Sequence, residues 1–186
     1  FKDDFESLGG KVIDKISVPP STTDFRTVFA RVRSAKPDVV YTPITENVVT
    51  FYKQLRESGL PSKVVTSDII ADEHIKVSPQ IFEGIYQTHP VDRHSESFLN
   101  VAAAYRVKFK KEIKLPRFVA WGYDGLKLLT RAAEVSGTSS ENIKTHLYTI
   151  EDYPGASGTI TFNARGSSPI RVEMFRVMKS KFEPVG

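Results

Sequence analysis

PDVVYTPITENVVTFYKQLRESGLPSKVVTSD, residues Pro37 to Asp68, reads as a strand, a helix and a second strand. Asp38 to Thr42 is a β-branched run bounded by Pro37 and Pro43, too short for a helix. Thr45 offers a hydroxyl at a helix start, and Val48, Val49, Phe51, Tyr52 and Leu55 recur at helical spacing. Gly59 suits a left-handed C-terminal cap, and Pro61 stops the helix from resuming. Lys63 to Thr66 is the second strand. Parallel strands joined through a helix cross over right-handedly, which sets their carboxyl ends side by side. Ligands of such sheets sit just outside those ends. The loops Thr42-Pro43-Ile44-Thr45 and Thr66-Ser67-Asp68 therefore carry the expectation of a site.

Outward from this unit the pattern continues. Lys2 to Leu8 reads as helix, ended by Gly9-Gly10, and Lys11 to Val18 alternates as a strand. Phe25, Val28, Phe29 and Val32 form a helical stripe opened by the polar run Ser21 to Asp24. A short segment surrounds Glu73-His74-Ile75, and Gly84 to Thr88 is a strand. Ser95 or Ser97 opens a helix with Phe98, Val101, Ala102, Tyr105 and Phe109 on one face. A further helix follows Phe118 to Tyr123, with Leu126, Leu129, Ala133 and Val135 expected inside and Gly137 past its end. Ser140, Ile143, Leu147 and Tyr148 predict a short helix. Gly158 to Phe162 and Arg171 to Met178 read as a closing β-hairpin around Asn163-Ala164-Arg165-Gly166. Strands alternating with helices, then a hairpin, give a Rossmann-like α/β fold with a mostly parallel sheet, taken as a single α/β lobe over residues 1–186.

Length and composition agree with that class. The chain has 186 residues, 40% hydrophobic and 26% charged, enough for one full core. No run approaches the roughly 18 apolar residues of a membrane span. The chain opens at Phe1, not Met, as a processed or excised piece would. Its net charge of +4 comes from 26 basic and 22 acidic residues, tightly grouped only at Lys108, Lys110 and Lys111. That spread favours a solvated surface over a nucleic-acid partner. With no cysteine, disulfides and thiol catalysis are excluded.

Signals for catalysis, metals or cofactors are poor. Phosphate-loop, dinucleotide and H-E-x-x-H patterns are absent. Gly155-Ala156-Ser157-Gly158 lacks the spacing of a nucleophile elbow and reads as a turn. Asp72-Glu73-His74 and Asp92-Arg93-His94 have no partner ligands at a recognisable spacing, so both read as solvated loops. His89 ends a strand and is a candidate cleft residue, whereas His146 is expected on a helix surface. Asp68 stands apart, at a strand's carboxyl end and followed by Ile69-Ile70. Two readings remain open for it: a carboxylate placed for a cationic ligand, or an N-cap of the next helix.

Several segments in order carry a resemblance: GGKVI, STTDFRTVFARVRSAKPDVVY, FYKQLRESGL, FEGIYQTHP, FVAWGYDGLKLL and GASGTITFNARG. Together they resemble the type I periplasmic binding proteins, in particular the leucine/isoleucine/valine-binding proteins of ABC importers. The resemblance covers nearly the whole chain and implies most of a carboxyl-terminal lobe, without its first strand and without the amino-terminal lobe. It implies binding without chemistry, a ligand enclosed between two lobes, export to the periplasm or cell exterior, and an ABC permease as membrane partner. By position it gives Asp68 the ligand's α-ammonium and gives Ile44 and Phe118 side-chain packing, with Thr42, Thr45 and Trp121 as neighbours. Ile44 departs from the aromatic expected there, which bears on ligand identity. The alternative within the same fold is the sensing domain of a receptor or transcriptional regulator.

Overall fold

The computed structural model describes residues 1–90, 93, 95–169 and 172–185. The chain divides into two compact units, Phe1–Thr88 with Met174–Gly186, and His89–Glu173. The sequence reading takes the same residues as one lobe, and the two units are described separately.

The first unit contains helices α1 (Lys2–Ser7) and α2 (Arg26–Ala35), strand β1 (Val39–Tyr41), α3 (Val48–Glu57), β2 (Lys63–Thr66), α4 (Asp72–Val77), α5 (Pro79–Phe82) and β3 (Tyr86–His89). Strands β6 (Glu173–Met178) and β7 (Lys181–Pro184) complete it. Its five strands form one sheet of order β1-β2-β3-β6-β7. The expected βαβ unit is present. β1 and β2 pair in parallel with Val40 opposite Val64, and β2 pairs in parallel with β3, Val65 opposite Tyr86. Helix α3 buries Val48, Phe51, Tyr52 and Leu55. Gly59 follows its end at φ +64°, where a side chain would be strained. The core joins α2 and α3 to the sheet: Phe25 meets Phe51 edge-on at 5.0 Å, and Phe29, Ile75, Phe82, Ile85 and Val177 pack in the same cluster. Gly84, at φ +77°, donates to the Val177 carbonyl, and the Val177 N–H donates back to the Ile85 carbonyl. Two residues thus oppose one, as in a glycine bulge beside β3.

Three expectations change here. Lys11–Val18 forms no strand. Its alternation survives only as half-burial of Val12, Ile16 and Val18, because a strand needs a ladder partner and none lies beside it among the described residues. β1 therefore closes one side of the sheet, with Phe1 stacked on Tyr41 at 4.4 Å. Thr45 does not open α3. Asn47 does, in the left-handed conformation it tolerates (φ 52°), with its amide donating to the Thr22 carbonyl at 2.9 Å. Finally, strands form within both expected hairpin segments but do not pair with each other: β6 pairs antiparallel with β7, Val177 opposite Phe182, which makes the closing hairpin.

The second unit contains α6 (Glu96–Phe109), α7 (Pro116–Ser136), α8 (Ser140–Leu147), β4 (Tyr153–Gly155) and β5 (Gly158–Ile160). Ser95 caps α6 by accepting from Phe98 N–H at 3.2 Å, and Ser139, one residue before the expected start, caps α8. β5 pairs antiparallel with β4 across the Gly155–Gly158 turn. The Asn163 side chain accepts from the N–H groups of Arg165 and Ser167, so the following turn closes on itself. Helix α7 is rotated relative to expectation: Ala120, Asp124, Leu128 and Ala132 face inward, while Leu126 is 68% exposed and Leu129 and Val135 are also exposed. The cause is polar. Asp124 accepts from Ala156 N–H (2.8 Å), Ser157 N–H (2.7 Å) and Ser157 Oγ (2.6 Å), which holds that face against the β4–β5 turn.

Candidate functional site

The carboxyl ends of β1 and β2 are tied together by a buried polar cluster. Thr42 N–H donates to the Val65 carbonyl at 2.9 Å, and Thr66 Oγ1 donates to the Thr42 carbonyl at 2.7 Å. The Thr42 hydroxyl meets the Tyr52 hydroxyl of α3 at 2.8 Å. Burial raises the Tyr52 pKa, opposed by its hydrogen bonds to threonine. Thr42 is thus buried and its groups already serve the framework. Ile44 is half-buried against the core, its N–H turned back to the Thr42 carbonyl at 2.8 Å. Thr45 is exposed in the same loop.

After β2 the chain turns tightly, Ile69 N–H donating to the Ser67 carbonyl at 2.8 Å, with Asp68 half-buried at the turn. The N-cap of α4 is Ala71. Asp68 lies three residues before it, so the helix-cap reading does not describe its place. One buried side chain fixes the far end of the loop. Gln87, 1% exposed on β3, accepts from Ile70 N–H at 2.8 Å and donates to the Ile70 carbonyl at 3.0 Å. Both backbone groups of a buried residue are satisfied by one amide. The sequence signal for this clamp is a polar residue inside the apolar strand Ile85-Tyr86-Gln87, and periodicity alone passes over it.

Phe118 and Trp121 lie in the second unit, on the first turns of α7. Both are exposed, their rings edge-to-face at 6.0 Å, with the Arg117 guanidinium 4.5 Å from the Phe118 centroid. Trp121 lines a cavity of about 740 Å³ with Ser95, Asp124, Ser157 and Thr159. The structure thus brings Thr42, Ile44, Thr45 and Asp68 to one sheet edge, and Phe118 and Trp121 to one helix start. A second position that sequence reasoning misses is Asp124, signalled only by an acid inside an otherwise apolar helical stripe.

His74 and His146 make local contacts. His74 Nδ1 accepts from Ala71 N–H at 3.2 Å, and its ring stacks on Phe82. His89 is buried at the end of β3, and His146, expected at the surface, is half-buried with Nδ1 3.2 Å from Ser136 Oγ. Asp92 and His94 lie outside the described residues. Among the described residues no group of three or more His, Asp or Glu is arranged to hold a metal ion, and no helix is long and apolar enough to cross a membrane.

A family profile described as periplasmic binding protein matches residues 1–181. Among solved structures, the leucine binding protein LivK of Thermotoga maritima superposes with a TM-score of 0.82 at 24% identity, over 99% of this chain and 53% of that one. LivJ of Streptococcus pneumoniae in complex with isoleucine gives 0.79 at 23% identity, over 99% and 55%. A solute binding protein of an R. palustris ABC transporter in complex with benzoate gives 0.79 at 18%, over 100% and 52%. The chain therefore spans about half the length of these structures, and the likeness establishes the fold. No curated protein sequence matches the chain.

Proposed function

Because the chain belongs to the periplasmic binding protein family, we propose that it is the ligand-binding lobe of an exported solute-binding protein of an ABC importer. The cargo is a small molecule carrying an ammonium group, an amino acid of the branched-chain type or a relative. The protein works by binding, and an ABC permease recognises the closed, loaded form. The amino-terminal lobe comes from chain outside residues 1–186, in keeping with the half-length match to the solved structures.

The observation that supports this reading best is Asp68, half-buried on a turn at the carboxyl end of β2, whose far side is clamped by Gln87. A carboxylate held on a braced turn orients an ammonium by a charge-assisted hydrogen bond, while apolar neighbours supply most of the affinity. Ile44, in the loop after the adjacent strand β1, is the apolar contact, with Thr42 and Thr45 framing that loop. Phe118 and Trp121 are aromatic ligand contacts carried by the second unit.

The test uses the full-length protein and calorimetric titration with branched-chain amino acids and with benzoate. Asp68→Asn keeps the size of the side chain and removes its charge. Breaking a buried ion pair costs about 3–5 kcal/mol, so amino-acid affinity should fall by roughly a hundredfold to several thousandfold. A variant that melts normally and binds amino acids within about threefold of wild type sinks the ammonium assignment. Binding of benzoate alone replaces the amino acid with an uncharged-headed or anionic cargo.

A further inference from the structure

The net charge of this protein is concentrated in one place. Residues 106–117, RVKFKKEIKLPR, hold six basic side chains and one acidic one, a net +5, against +4 for the whole chain. The remaining twenty basic and twenty-one acidic residues nearly cancel. The stretch runs from the last turn of α6, through Lys110 in the left-handed conformation, into the first turn of α7. Its single acid is already engaged: Glu112 accepts from both Nε and Nη2 of Arg106, at 2.5 and 2.9 Å. Lys108, Lys110, Lys111 and Lys114 are exposed and make no ion pair among the described residues. Between them Val107 (70% exposed), Phe109 and Leu115 project into solvent.

Lys108 lies over the Phe109 ring at 5.4 Å and that ring packs on Tyr105 at 4.6 Å, but Lys110, Lys111 and Lys114 repel one another, with Val107 and Leu115 left in water beside them. We propose that this corner of the second unit docks on anionic phospholipid headgroups. The lysine ammonium groups meet the phosphates, and their methylene stems lie along the surface. Phe109 and Leu115 enter the boundary between headgroups and acyl chains. Nucleic acid would also satisfy the charge, but it reads aromatic platforms, and two of the three projecting apolar residues are aliphatic. The proposal is independent of the ligand assignment at Asp68.

The test is cosedimentation with vesicles of phosphatidylglycerol and phosphatidylcholine, against phosphatidylcholine alone and against duplex DNA. Each lysine near an anionic surface is worth about fivefold in partitioning. Binding to the anionic vesicles is expected at about 0.02 M salt and should be lost near 0.5 M, where screening is strong. Lys110→Glu, Lys111→Glu and Lys114→Glu together should weaken it by roughly a hundredfold or more. The melting temperature should not move, because all three side chains are exposed. Phe109→Ser with Leu115→Ser should weaken binding and leave the salt dependence intact. The proposal is overturned by no binding to the anionic vesicles at low salt, by equal binding of the triple variant, or by DNA being bound in preference.

Discussion

Two uncharged side chains, Gln87 and Tyr52, do the most to shape the edge that carries Asp68. Gln87 satisfies both backbone groups of Ile70. Gln87→Leu would fill the same space and leave two buried groups without partners, at about 1–3 kcal/mol each. Urea unfolding should register a loss of roughly 2–6 kcal/mol, and the amides of residues 67–71 should exchange faster than the rest of the sheet edge. Unchanged exchange there would mean the loop holds itself. Tyr52 allows a test by pH. Its folded pKa is raised above the ordinary value of 10.0 by burial, so above that value the unfolded chain loses this proton first. Stability is then fully present at neutral pH and declines as pH rises through 10. Tyr52→Phe should cost about 1 kcal/mol at neutral pH and flatten the alkaline decline. An identical decline in the variant would assign it to other groups. Beyond the polar Gln87 in an apolar strand, none of this is legible in the sequence, because a hydrogen bond between residues far apart in the chain leaves no periodic trace.

At the scale of elements, apolar spacing locates what it can. The strands and helix of the central unit, the stripe of α2 and the start of α6 all follow from short-range pattern and cap chemistry. Spacing fails where a partner decides. Lys11–Val18 alternates as a strand does, yet has no neighbour to bond among the described residues. The hairpin strands are legible in part but not their pairing, since each pairs with a short neighbour (β4, β7) that the apolar pattern does not reveal. Helix α7 presents a different face from the one its apolar residues suggest, because three hydrogen bonds to Asp124 outweigh them. This last point is measurable. Leu128→Ala should destabilise by about 2–4 kcal/mol, whereas Leu126→Gln should stay within roughly 0.5 kcal/mol. Equal losses in thermal unfolding would return α7 to the orientation read from its sequence.

For the whole molecule, the fold class and family are readable because many degenerate segments occur in a fixed order over nearly all of the chain. The division into two units is not, since it depends on how distant segments such as Phe1–Thr88 and Met174–Gly186 come together. The match to half of each related structure has a direct consequence for binding. On the function proposed above, residues 1–186 alone should bind an amino acid no more tightly than about millimolar, worth roughly 4 kcal/mol, because the charge-assisted contacts to the ligand's other end would come from outside them. Calorimetry on this segment checks it, and micromolar binding would mean the described residues already hold a complete site.

The position of β1 at the margin of the sheet governs how these residues behave in concentrated solution. From the register with β2, in which Thr42 N–H points to Val65, the N–H groups of Val39 and Tyr41 face away from the sheet. Val39 is 45% exposed beside them. Such a margin is a template on which another extended chain can grow. The average mass seen in sedimentation should therefore climb with protein concentration, and Val39→Lys should hold it flat by setting a charge that an added neighbouring strand would have to desolvate.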